Sequence, residues 1–204
     1  MTEEEKKELE EYREFIHMLS ETSDTRIFLN KGPEHAKVVL EEIFKQSKKT
    51  VRIFAGNLTR VVGDDPDYIS ALSDFVQNEG SSLKILLNDY KVELAKESKL
   101  YMRLAYFKSE GKDITVKSTT AKPYRKSDPE QKEFHFTVGD EKAYRIETDI
   151  KERKAEGSMN RSETAVSLAK FFDELFKSDQ SKDIDILRLF NYDEPEPVQL
   201  QYNE

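Results

Sequence analysis

The chain has 204 residues and a formal net charge of −8, the size of one ordinary domain or one domain with tails. Charged and hydrophobic residues each make up 36%, so the surface is heavily ionised while enough apolar side chains remain for a core. The lack of cysteine excludes a disulfide framework and thiolate metal sites and fits a reducing compartment. The acidic balance argues against general nucleic-acid binding, which depends on neutralising phosphates.

No apolar run approaches the ~20 residues that cross a bilayer. The opening Met1-Thr-Glu-Glu-Glu-Lys-Lys lacks the basic start and apolar stretch of a signal peptide, so a cytoplasmic protein without a membrane partner is expected. The three histidines, His17, His35 and His135, are too scattered for a zinc centre, and no metal or cofactor is expected.

Glu3 to Ser20 reads as a helix with Leu9, Tyr12, Phe15, Ile16 and Leu19 on one face, able to cap its own domain or to meet a partner. A short strand over 25–29 leads to a helix started by Pro33 and carrying Ala36, Val39, Leu40, Ile43 and Phe44 on its buried stripe. Thr50 to Ala55 follows as a strand buried on both faces. The Gly56–Arg60 loop after it, with Asn57, is a natural neighbour of a site, because open α/β sheets bind ligands where strands end. Asp65-Pro66 opens another helix, Leu83 to Leu87 is a second buried strand, and Asn88-Asp89 stands at its end.

Residues 25–88 thus alternate strand and helix, the signature of an α/β domain. A helix over 91–107, a strand over 114–117 and a polar loop over 118–132 come next. The domain is expected to span residues 25–178, preceded by a helical segment over 1–24. A tail over 179–204 follows, holding one apolar group at Ile184–Phe190 and ending in the acidic Asp193-Glu-Pro-Glu-Pro.

The most informative stretch runs from Glu133 to Arg161. Phe134, Phe136 and Val138 alternate with His135 and Thr137, and Gly139-Asp140 marks a hairpin turn in which the glycine is expected to supply the positive φ. On the return strand Tyr144 and Ile146 oppose Arg145 and Glu147. A charged bridge then leads to Gly157-Ser158-Met159-Asn160 and a helix with Ala165, Leu168, Ala169, Phe172, Leu175 and Phe176 on its buried stripe. A hydroxyl, an amide and an ion pair are expected to converge with His135 at one end of the sheet. Asn160 also has a plainer role, as cap of that helix with Glu163 three residues on.

His135 on a strand, the hairpin, and G-S-x-N before a helix resemble the active half-site of the phospholipase D superfamily, H-x-K-x-x-x-x-D followed by G-S-x-N. The motif lysine falls on Thr137 and its aspartate on Lys142, with Asp140 nearby, so only His135, Gly157, Ser158 and Asn160 carry over. The resemblance implies a mixed sheet flanked by helices, about one half of the pseudo-symmetric fold, whose active relatives pair two half-sites across a two-fold axis. It implies His135, Ser158 and Asn160 as catalytic groups if the site is active, and a homodimer in any case. Arg145, Glu147, Tyr144 and Asn57 are the expected ligand-binding residues. Arg145 and Glu147 are equally suited to bracing the hairpin as a buried pair.

Without the lysine, a non-catalytic binding or assembly module for a phosphate-containing ligand or a protein is the leading expectation. The alternative is a divergent homodimeric phosphodiesterase with His135 as nucleophile. A protein partner would use the first helix or the acidic tail.

Overall fold

A computed structural model describes residues 1–126 and 128–192, and within them eight strands form one sheet. The first helix, α1 (Glu3–Glu21), starts at Thr2, whose hydroxyl accepts from Glu5 N while the Glu5 carboxylate accepts from Thr2 N. This reciprocal cap satisfies two backbone donors that no helical carbonyl reaches. Strand β1 (Phe28–Asn30), helix α2 (Pro33–Gln46) and strand β2 (Thr50–Ala55) follow. A helical turn α3 (Arg60–Gly63), helix α4 (Pro66–Gln77) and strand β3 (Ser82–Leu87) come next. Asp65 caps α4 with Pro66 in the first turn, as its sequence predicts.

The helix expected over 91–107 is two, α5 (Val92–Glu97) and α6 (Lys99–Ser109). The break falls at Ser98, whose backbone is extended and whose hydroxyl donates to Asp64 and accepts from Tyr101 N, since a serine favours a cap over a helix interior. Strands β4 (Asp113–Thr119), β5 (His135–Gly139), β6 (Ala143–Asp149) and β7 (Lys154–Ser158) lead to helix α7 (Ser162–Lys177). Strand β8 (Ser181–Asp183) and a last turn α8 (Ile186–Leu189) complete the described chain.

The sheet order is β1-β7-β6-β5-β2-β3-β4-β8, parallel across β2, β3 and β4 and antiparallel elsewhere. One face carries Phe54, Phe136, Val138, Tyr144 and Ile146 against Ala165, Ala169, Phe172 and Phe176 of α7. On the other, Val51, Ile53, Leu83 and Ile85 pack beneath α2, α4 and α6. The apolar stripe of α1 is spent within the chain: Leu9, Tyr12, Ile16 and Leu19 join Phe28, Val39, Ile43 and Met159 in a third cluster. Phe15 and Met18 stay outside it, exposed.

Beyond Ser178 the chain remains part of the fold to Phe190, since β8 pairs with β4 and Ile184, Ile186, Leu189 and Phe190 pack into the core beside α6. The acidic segment from Asp193 lies outside the described residues.

The hairpin turn between β5 and β6 departs from expectation in an instructive way. Asp140 and Glu141, not Gly139, hold positive φ, at 48° and 54°. Gly139 stays in the strand, and a Cβ there would meet Ser47 Oγ at 2.2 Å. Asp140 accepts the left-handed conformation because its side chain has work to do nearby. Its carboxylate receives the backbone N–H groups of Lys48, Lys49 and Thr50 at 2.6, 2.8 and 2.8 Å, fastening the loop before β2. Asp140→Ala should therefore lower stability by about 2 kcal/mol in urea unfolding, since hydrogen bonds to a charged group are worth about 1.5–3 kcal/mol and water reclaims part of the loss. A change within a few tenths would refute this role.

Candidate functional site

A cavity of about 480 Å³ opens where β2 and β3 end and β5 begins. This is the edge at which strand-end loops of an α/β sheet form sites. Asn57 and Asn88 follow β2 and β3, while alternation along β5 and β6 puts His135, Thr137, Arg145 and Glu147 on the side away from α7. Register places His135 beside Glu147 and Thr137 beside Arg145.

His135 is held on both ring nitrogens. Nε2 lies 3.1 Å from Glu133 Oε1 and Nδ1 lies 3.6 Å from Glu147 Oε2. Glu133 Oε1 also accepts from the Asn88 amide, whose Nδ2 reaches the Ala121 carbonyl as well. Glu147 Oε1 and Asn30 Oδ1 each accept from Arg145 Nη2 at 3.3 Å. Burial works to raise the Glu147 pKa, but His135, Arg145 and Arg153 together outweigh it and hold the carboxyl below the ordinary glutamate range. Arg145 is displaced downward, because burial disfavours its charge more than Glu147 supports it.

The rest of the cavity wall mixes apolar and polar groups. Ala36, Leu40 and Val62 line it beside Tyr68, whose hydroxyl is buried without a protein partner and pushed well up by burial. Lys122 and Arg153 reach the same cavity and make no hydrogen bond or ion pair through their side chains among the described residues.

Of the residues singled out in the sequence, His135, Arg145, Glu147 and Asn57 meet at this cavity. Asn57 Oδ1 accepts from Thr59 N and Thr59 Oγ1, which shapes the loop. Tyr144 lies on the opposite face, buried under α7, because adjacent strand residues point to opposite sides. Ser158 and Asn160 are not brought to His135. Along the register His135 meets Glu147 and Glu147 meets Ala155, so Ser158 sits two strands away and three residues further along.

Ser158 is fully buried, and Asn160 Nδ2 donates to Ser23 O at 2.8 Å. Asn160 is not the cap of α7 either, since that position falls on Arg161, with no side-chain cap. Lys142, standing where the resemblance puts an aspartate, lies in the turn at the far end of the hairpin from His135. Glu133, Tyr68 and Arg153 were missed in the sequence. Glu133, two residues before His135 on a strand edge, is the one a same-face rule could have found.

No protein-family model matches the chain, and no curated protein matches it. Solved structures do. A phospholipase D family member, Nuc from Salmonella typhimurium, superposes with a TM-score of 0.53 at 16% identity, over 79% of this chain and 99% of that one. TrmBL2, an archaeal chromatin protein, gives 0.55 at 14% identity over 89% of this chain and 64% of its own. Phosphatidylserine synthase from Haemophilus influenzae gives 0.52 at 11% identity over 82% and 44%. The chain therefore spans nearly all of the first and less than two thirds of the other two. It has the phospholipase D-like fold, with a mixed sheet flanked by helices.

Proposed function

We propose that this chain is a non-catalytic binding module on a phospholipase D-like scaffold, with the cavity around His135 as its ligand site. The carrying observation is the placement of both His135 nitrogens against carboxylates, Glu133 and Glu147. A nucleophilic imidazole must turn a nitrogen lone pair on phosphorus while cations hold the phosphate. Here the two carboxylates repel a phosphodiester from that nitrogen, and Thr137, 5% exposed, brings no charge. Lys122 and Arg153, whose side chains make no hydrogen bond or ion pair among the described residues, favour a phosphate-containing ligand held at the cavity without cleavage.

The competing reading is a divergent homodimeric phosphodiesterase with His135 as nucleophile, which draws support from the near-complete overlap with Nuc. Turnover of bis-p-nitrophenyl phosphate and single-stranded DNA separates the two. Wild type and His135→Ala should be equally inactive, while Lys122→Ala and Arg153→Ala should weaken binding of a nucleoside monophosphate measured calorimetrically. Losing one oriented charge-stabilising group typically costs 100- to 1000-fold in rate, about 2.7–4 kcal/mol. Turnover lost on His135→Ala with the fold intact would establish the enzyme instead. A homodimer is proposed on either reading, and light scattering against the 23.8 kDa monomer tests it.

A further inference from the structure

The polar wall of the His135 cavity continues behind it. Arg145 Nη2 donates to Glu147 Oε1 and to Asn30 Oδ1, each at 3.3 Å. The two hydrogens of a planar guanidinium nitrogen leave at a fixed angle, so the place of Asn30 Oδ1 decides how the other hydrogen meets Glu147. The second Glu147 oxygen lies 3.6 Å from His135 Nδ1. His135 Nε2 in turn lies 3.1 Å from Glu133 Oε1, which accepts from the Asn88 amide. That amide also reaches the carbonyl of Ala121, the residue before Lys122. A line of polar contacts therefore runs from β1 through His135 to the segment that carries one of the cavity's cations.

At its other end the line reaches α1, where the buried Tyr12 hydroxyl shares a hydrogen bond with the Asn30 side chain. Burial pushes the Tyr12 pKa up to about 12 against the pull of Asn30 and Arg145, so the phenol keeps its proton at neutral pH. Asn30 acts on that pKa as a donor to the phenol oxygen does, and with Oδ1 turned to Arg145 the donor is Nδ2. Neither Tyr12 Oη nor Asn30 Nδ2 has another hydrogen-bond partner among the described residues. Taking the phenol oxygen away leaves a buried amide donor that must turn or admit a water. Either response moves Oδ1 relative to Arg145 Nη2, and Glu147 with it. Tyr12 and Asn30 are not among the described residues that line the His135 cavity, so any influence on it passes through Arg145.

We propose that Tyr12 and Asn30 are positioning residues of this site. Through Arg145 Nη2 they hold Glu147 against His135, and a side chain of α1 thereby tunes a cavity that it does not touch. The effect on affinity rests on the binding role proposed above, whereas the coupling of Tyr12 to His135 is readable without a ligand.

The test compares variants of the full chain by two readouts, the His135 ring nitrogen resonances, assigned by their loss in His135→Ala, and calorimetric binding of adenosine monophosphate. Tyr12→Phe keeps the ring stacked on His35, with centroids 4.2 Å apart, and removes only the oxygen. It should move the His135 resonances and weaken binding about threefold or more, the low end of coupling within one hydrogen-bond network. Asn30→Leu, which removes the amide at similar size, should move them at least as far. Leu9→Ala is the control, since it loosens α1 in the same apolar cluster and should lower the melting midpoint while leaving both readouts unchanged. Moved resonances in a chain whose wild type binds no adenosine monophosphate would uphold the positioning role and sink the ligand reading. Unmoved resonances in folded Tyr12→Phe, an affinity equal to that of a binding wild type, or the same changes in Leu9→Ala would overturn the positioning role.

Discussion

Replacing Gly157 with alanine should destabilise the protein by about 3 kcal/mol or more, the upper end of what overpacking a core costs. A Cβ at this position would lie 2.5 Å from the Tyr144 carbonyl oxygen and 2.6 Å from Phe28 Cζ. The first contact is backbone of the adjacent strand, paired in register at Arg145, and cannot swing away as a side-chain end can. Phe28 is itself buried beneath α1 and α2, so relief on that side disturbs the third core cluster. Ser158→Ala should by contrast cost about 1 kcal/mol, since among the described residues the only hydrogen bond to its hydroxyl is a long one, 3.4 Å from Asn160 N. Urea unfolding of the two variants makes the comparison. A Gly157→Ala loss below about 1 kcal/mol would show that β7 can shift, and that the glycine is not there for packing.

This contrast bears on how the chain reads without a structure. The G-S-x-N stretch resembles a catalytic motif, yet each of its polar groups has a local structural use: Gly157 admits Phe28, Ser158 is buried, and Asn160 ties the Ser23 carbonyl. What hid this was β7. Lys154-Ala-Glu-Gly-Ser has no β-branched or aromatic residue, so it carries no strand signal and passes for a charged linker. Counting it as a strand moves Ser158 away from His135, because an antiparallel return runs back along the sheet.

The parts driven by strong periodicity were legible: α1, α2, α4, α7 and the strands β2, β3, β5 and β6 all fall where apolar spacing puts them. Alternation along the hairpin also placed His135, Thr137, Arg145 and Glu147 on one face correctly. Contacts between sequence-distant groups were not legible. Nothing local announces that Glu133 and Asn88 share a hydrogen bond, that Arg52 forks onto Asp173 of α7, or that Tyr12 reaches Asn30 and Arg145.

Glu147→Gln should cost about 3 kcal/mol at neutral pH, the low end for breaking a buried ion pair by removing one partner. The side chain is 8% exposed and faces Arg145 Nη2 at 3.3 Å and His135 Nδ1 at 3.6 Å. Glutamine can still accept from one of them but leaves the guanidinium, which has no other carboxylate within ion-pair distance among the described residues, without a counter-charge. The pH dependence gives the sharper signature. The folded-state pKa of Glu147 lies below the ordinary value of 4.5, which is the direction in which the native state binds fewer protons than the unfolded chain. Its contribution is therefore complete above pH 4.5 and is lost as pH falls through the lower, folded-state value. Unfolding free energies of wild type and Glu147→Gln should run parallel from neutral pH down to about 4.5, converge between there and the folded-state value, and stay together below it. Arg145→Met combined with Glu147→Gln should cost less than the two single changes added together, because each single change strands a charge that the other removes. A gap between wild type and Glu147→Gln that persists unchanged into the acid range would mean that the carboxylate stabilises the fold through packing, and that the charge pairing with Arg145 and His135 adds nothing.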